Sequence, residues 1–193
     1  AHLFESARAQ VEQDGVLDTP KRRFWRWLTL KLLFRHPRLL RTTARLLYLY
    51  QRLGLDRLVR KTRLLHCIAP KLAQLEPSTP RICRRFSDAL IKARETPTQP
   101  KYTVGFLTGC VQDIAFSNIN RDTVDVLKAN HCAVVTPRAQ PCCGSLHGHN
   151  GAPDLAMERA RETIDQFPEL ASLDAVISNA GGCGSHLKHY HRL

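Results

Sequence analysis

Cysteine pairs at knuckle spacing are missing from this chain. No two of its seven cysteines stand two to four residues apart, so the short knuckles of structural zinc sites and the C-x-x-C runs of ferredoxins are both absent. Seven cysteines in 193 residues are also too few for a disulfide scaffold. Long apolar runs are lacking too. Arg or Lys interrupts the apolar stretches every few residues, which leaves no segment able to span a bilayer. No secretory leader pattern is visible, and no G-x-G-x-x-G fingerprint, so a flavin or dinucleotide is expected elsewhere. The chain begins with Ala1 and stops at Leu193 within an expected helix. Both ends read as cut, as in a fragment of a longer chain.

Charge divides the sequence. Residues 1–100 carry 21 Lys and Arg against 8 Asp and Glu, whereas residues 101–193 carry 8 against 9. The basic part has helical periodicity. A helix is expected over 1–17, closed by Thr19-Pro20. Phe24 to Phe34 interleaves apolar residues with Arg26 and Lys31. Beyond His36-Pro37, residues Leu39, Leu40, Thr43, Leu46, Leu47, Tyr50 and Leu53 recur at helical spacing, with Arg38, Arg41, Arg45 and Arg52 on the other side. Gly54 fits a cap, a further helix is expected over 56–65, and a short basic helix over 84–94. Thr96 to Pro100 reads as a linker, dividing a helical region 1–95 from a second unit 101–193. Three roles compete for the basic half. Its helices pack on the next unit with solvated Arg faces, touch an anionic membrane surface with Trp25 and Trp27 as anchors, or bind nucleic acid. The last is weakest, because no zinc-finger or RNA-module pattern is present, and no nucleic-acid partner is expected.

The near-neutral half alternates strand and helix. Residues 102–108 read as a buried strand ending at Gly109-Cys110, and 118–129 as a helix that Asn118 or Asn120 can cap. Residues 132–136 read as a second strand, followed by the loop Gln140-Pro-Cys-Cys-Gly-Ser145. Residues 153–167 read as a helix with Leu155, Ala156, Ala160, Ile164 and Phe167 inward, and 173–178 as a third strand before Cys183. A helix is expected from Ser185. The expected fold class is α/β: a three-stranded parallel β-α-β-α-β cysteine-rich unit, a Rossmann-like half, preceded by a basic all-helical segment. Crossovers of this length make neighbouring strands parallel and bring their carboxyl ends to one edge, where ligands bind.

Cys110, Cys142, Cys143 and Cys183 each lie just after one of those strands, among Gly109, Gly144, Gly182 and Gly184. Widely separated thiols should therefore meet at one rim. Four such thiols suit an iron–sulfur cluster, whose potential nearby backbone N–H groups tune. A zinc site, thiol–disulfide chemistry without metal, and four unrelated buried cysteines remain open. Cys132 reads as a small buried hydrophobe, and Cys67 and Cys83 have no partner spacing. His186 lies three residues after Cys183 and is either a substitute ligand or a supporting histidine. His147 and His149 flank Gly148 near the cysteine pair, placed to donate to cluster sulfur or to carry protons.

The stretches GFLTGCVQD, PCCGSLHGH and NAGGCGSHLKHY resemble the cysteine-rich CCG domain of the glycolate oxidase iron–sulfur subunit. Similar domains occur in lactate-utilisation proteins, anaerobic glycerol-3-phosphate dehydrogenase and heterodisulfide reductase. The resemblance covers 101–193, and residues 1–95 resemble the basic helical linker of the glycolate oxidase subunit. It implies an electron-transfer subunit, not catalytic alone, of a flavin-dependent 2-hydroxy-acid dehydrogenase, passing electrons from a flavin on a partner subunit toward a quinone-type acceptor. It also implies Cys110, Cys142, Cys143 and Cys183 as ligands of a cluster, of 4Fe-4S type. Location in the cytoplasm, peripheral to the inner face of the cell membrane, would follow. The family's ferredoxin-like domain would precede Ala1, and a second cysteine-rich repeat would follow Leu193. In heterodisulfide reductase the last motif is C-x-x-C, whereas here Ser185 and His186 follow Cys183. A disulfide reductase and a zinc or metal-free interaction module are the alternatives.

Overall fold

The structure, a computed structural model, describes residues 2–62, 65, 68–167 and 169–193. Cys67 lies outside them. Its framework is a four-stranded sheet in the order β1-β3-β2-β4: Arg94–Glu95, Cys132–Val135, Tyr102–Leu107 and Ala175–Ser178. β2 pairs in parallel with both β3 and β4, so the three expected strands are present and parallel. The sheet as a whole is mixed, because β1 runs antiparallel to β3. Residues 84–94 therefore do not form the expected basic helix. Only Ser87–Leu90 is helical. Phe86, extended and buried against Ile82 and Ile114, anchors the chain ahead of it. Beyond it, the Thr136 N–H donates to the Ala93 carbonyl, and Glu95 is fastened to Arg121 and Lys128. The short polar strand covers the open edge of β3, which would otherwise offer unpaired backbone groups.

β2 is the central strand and is buried from Val104 to Leu107, the pattern of a strand covered on both faces. Val104 and Phe106 pack with Val134, Ile91 and Val124. Gly105 faces the other way, where a Cβ would lie 2.8 Å from Phe167. The chain leaves β2 for β3 on one side and returns past it to β4 on the other. Two crossovers of one hand then put their helices on opposite faces, and the order reverses at the carboxyl ends of β2 and β4. Ser117–Ala129 covers one face. Pro153–Asp165, with Pro153 in its first turn, serves the other. Of the residues expected inward here, Ala156, Ala160 and Phe167 are buried, and the face is widened toward Arg159. Ala156, Arg159, Ala160 and Thr163 are buried while Ile164 is exposed, because Arg159 turns inward to reach the Arg35 carbonyl, Glu158 and Glu162.

The basic part is helical, as expected: α1 His2–Gln13, α2 Pro20–Arg26, a π-helical turn Trp27–Leu33, α3 Pro37–Arg52 and α4 Leu55–Thr62. Leu40 and Ala44 of α3 pack with Ile82, Phe86, Ile114 and Ala115, and Cys110 borders that cluster. Many of its arginines find acids. Arg22 and Arg26 hold Glu12, Arg60 holds Glu76, and Arg41 holds both Asp88 and Asp113. Among the described residues, no helix is long and apolar enough to cross a membrane.

Candidate thiol site at the sheet edge

Each of the four cysteines stands beyond the carboxyl end of a parallel strand. Gly109 ends β2 with φ +71° and turns the chain into a short helix, Cys110–Ala115, which the sequence pattern did not anticipate. The loop after β3 carries Cys142 and Cys143, and Gly144, at φ +91°, opens the helix Ser145–His149. Cys183 lies in the first turn of the helix Gly181–Leu187, which starts four residues earlier than expected.

The thiols meet as a connected chain. Cys142 interacts with Cys110 and Cys143, and Cys143 with Cys183. A Cβ on Gly109 would sit 3.7 Å from Cys183 Sγ, so the first and last turns also face each other. Cys142 and Cys143 are buried; Cys110 and Cys183 are half-buried, and all four thiols are free. Their proton affinities separate accordingly. Interactions with Cys110 and then Cys143 hold Cys142 far below an ordinary thiol, with the Gly144 N–H assisting. Cys143 is pushed up by its interactions with Cys142 and Cys183 and by burial, and Cys110 by its interaction with Cys142 and by burial. Cys183 is lowered by the interaction with Cys143.

His147 is fully buried, and its Nε2 bonds to the Leu30 carbonyl at 3.0 Å, tying the basic segment to the cysteine pair. Its Nδ1 has no conventional hydrogen-bond partner. His186 is also buried, with its Nε2 unpartnered and 3.2 Å from where a Cβ on Gly144 would stand. Burial lowers its pKa against the opposing pull of Glu5. His149 is turned away and pairs with Glu5 at 2.7 Å. Cys132 is buried in β3, and Cys83 bonds instead to the Ala115 carbonyl.

Several residues that position the turns had no motif to announce them. Gln140 accepts from the Thr108 N–H and donates to the Phe106 and Pro137 carbonyls, pinning the cysteine loop to the end of β2. Tyr190 donates to the Cys143 carbonyl at 2.6 Å, and burial raises its own pKa. Asn120 does not cap its helix, because the N-cap is Phe116; it is buried inside. The one signal for it was its phase, four residues before the core residue Val124.

The donor chemistry suits an iron–sulfur group: four thiols, no carboxylate among them, glycine turns beside them, and two unpartnered imidazole nitrogens nearby. Among the described residues no three His, Cys, Asp or Glu side chains are arranged to hold a single metal ion.

Residues 21–79 match the linker region of the glycolate oxidase iron–sulfur subunit, and residues 104–188 match the cysteine-rich CCG domain. A probable glycolate oxidase iron–sulfur subunit of Bacillus subtilis is 35% identical over 193 residues, covering 99% of this chain and 43% of that protein. The glycolate oxidase iron–sulfur subunit of Escherichia coli is 29% identical over 141 residues, 71% of this chain and 35% of that protein. Lactate utilization protein A of Shouchella clausii is 32% identical over 90 residues, 47% of this chain and 36% of that protein. The chain therefore spans less than half the length of these relatives. No solved structure matches it. Residues 104–188 thus carry a cysteine-rich domain of the CCG type, preceded at 21–79 by a stretch similar to the linker of the glycolate oxidase iron–sulfur subunit.

Proposed function

We infer that this chain is the cluster-bearing part of an electron-transfer subunit in a glycolate-type 2-hydroxy-acid oxidase complex. Cys110, Cys142, Cys143 and Cys183 would hold an iron–sulfur cluster of 4Fe-4S type. The partner subunit would carry a flavin, and the acceptor would be of quinone type. Residues 1–95 would act as the linker and 101–193 as the cysteine-rich unit. The protein would work in the cytoplasm, against the inner face of the cell membrane. The observation that carries this proposal is the meeting of four thiols from three strand ends at one rim.

A bound cluster would supply one-electron transfer at a potential tuned by burial, charge and hydrogen bonds to sulfur. The chain's own residues would do the rest. Burial of Cys142 and Cys143 excludes water from the inner side of the thiol set. The Gly144 N–H favours the thiolate of Cys142. Leu30 accepts from His147 and fixes the ring's orientation. The glycolate-type names of the relatives support the choice of complex.

Anaerobic reconstitution with ferrous iron and sulfide should give brown protein, with broad visible absorption and a paramagnetic resonance signal after reduction. Serine at any of positions 110, 142, 143 or 183 should lower the bound iron, while serine at Cys83 or Cys132 should not. Colourless, iron-free protein after reconstitution would overturn the proposal. Turnover of a disulfide substrate by the isolated chain with an artificial donor would favour the thiol–disulfide alternative.

A further inference from the structure

The turns that carry the first and last thiols are joined by a pair of amides. Asn120 is fully buried. Its Nδ2 donates to the Thr108 carbonyl at 3.0 Å and to Ser87 Oγ at 2.8 Å. Its Oδ1 accepts from Asn179 Nδ2 at 2.9 Å, and that nitrogen also donates to Thr123 Oγ1 at 2.9 Å. Thr108 lies two residues before Cys110, and Asn179 lies four residues before Cys183. One buried side chain therefore grips the end of β2 and, through its partner, the end of β4. The bonds continue outward. The Ser87 N–H donates to Asp113 Oδ1 at 2.8 Å. Arg41 of α3 then donates to Asp113 Oδ2 from both Nε and an Nη.

An asparagine in a helix interior is a poor helix former, and burying an amide is unfavourable unless its groups are bonded. Here both donor hydrogens and the carbonyl oxygen of Asn120 are used. All of its bonds run to groups that position the thiol turns or the linker contact. A purely space-filling role would be met by Leu or Met at the same place.

We propose that Asn120 and Asn179 are positioning residues: together they set the spacing between the Cys110 and Cys183 turns, and hence the fit of the thiol set to its inorganic group. The second half of this statement rests on the cluster assignment above; the first half does not. Asn179 is the better handle, because it is half-buried and its loss leaves the helix intact.

In the metal-free protein the test is residue-resolved alkylation by iodoacetamide, read by mass spectrometry. Asn179→Ala should speed modification of Cys110 and Cys183 by about tenfold or more, because the two hydrogen bonds that Asn179 donates no longer oppose local opening. Cys132, buried in β3, reports global opening and should be unchanged. Thr123→Val keeps the shape of Thr123 while removing the second acceptor of Asn179, and should give the same pattern at smaller amplitude. In reconstituted protein, Asn179→Ala should retain iron but shift the midpoint potential and the resonance line shape. Unchanged rates at Cys110 and Cys183, or equal acceleration at Cys132, would overturn the brace. Wild-type protein that takes up no iron would sink the cluster assignment, while the alkylation result would still decide the brace.

Discussion

Glu95→Gln should remove most of the stability that the linker's edge strand draws from electrostatics. Glu95 lies in β1, opposite Val134, and its side chain is only 10% exposed. Burial alone would raise its pKa. Bonds from Arg121, Lys128 and the Lys92 N–H more than offset that and bring the pKa down to about 2, from 4.5 for a free glutamate. The difference corresponds to about 3 kcal/mol of preference for the ionised form in the folded state. Glutamine keeps the size and one carbonyl acceptor, so the expected loss at pH 7 is about 2 kcal/mol.

The pH dependence follows from the sign of the shift. A carboxylate whose folded pKa is depressed contributes its full stabilisation above the unfolded value of 4.5, and that contribution fades as pH falls toward about 2. The gap between wild type and Glu95→Gln should therefore be constant from pH 7 to 5 and shrink to roughly half or less at pH 3. Urea unfolding of both proteins at each pH measures this, and taking the difference removes the other carboxylates. A gap below about 0.5 kcal/mol at pH 7, within the range of ordinary surface substitutions, would refute the reasoning. So would a gap that stays constant down to pH 3.

Two other outcomes are expected. Gly144→Ala forces a side chain into φ +91° and places its Cβ 2.7 Å from the Ala156 carbonyl oxygen, so a loss of about 2–4 kcal/mol is expected together with poor iron uptake; an unchanged thermal midpoint and full iron content would contradict it. Phe24, Trp25 and Trp27 are exposed next to Lys21 and Arg23, so the full chain should bind vesicles rich in anionic lipid at low salt and release at high salt, with Trp25→Ala and Trp27→Ala weakening it; no binding at low salt would remove the membrane-surface role.

Apolar periodicity, glycine position and crossover length were enough to place β2, β3 and β4 and to bring Cys110, Cys142, Cys143 and Cys183 to one edge. These are strong local signals, and the thiols follow from the strands. β1 was not legible because Arg94 and Glu95 have no strand periodicity; they become a strand only because β3 has an open edge and Arg121 and Lys128 are waiting for the carboxylate. The inward turn of Arg159 was hidden for a similar reason. Apolar spacing pointed to Leu155 and Ile164, but the arginine's bonds to the Arg35 carbonyl and to Glu158 and Glu162 widen the buried face toward it. Asn120, Gln140 and Tyr190 act through bonds to carbonyls and amides of residues far away in sequence, and composition carries no trace of such partners.

The basic helical half of the chain is a wall of the thiol site rather than a spacer before it. Adjacent cysteines in a strand would face opposite ways; in this loop they turn to the same set, which requires the flanking backbone to be held on both sides. One side is held from the second half of the chain itself, by Gln140 and by Tyr190 on the Cys143 carbonyl. The other is held from the linker side of the chain. His147 bonds to the Leu30 carbonyl, the Arg8 guanidinium donates to the His149 carbonyl, and Arg26 reaches the Asn150 carbonyl at 2.8 Å. Gly151 lets α1 approach so closely that a Cβ there would stand 2.8 Å from the Arg8 carbonyl oxygen. Arg41 then fixes the helix that begins at Cys110 through Asp113. Two of the three thiol turns are thus held by basic residues of the first half, Arg8 and Arg26 on the turn after the cysteine pair and Arg41 on the turn of Cys110.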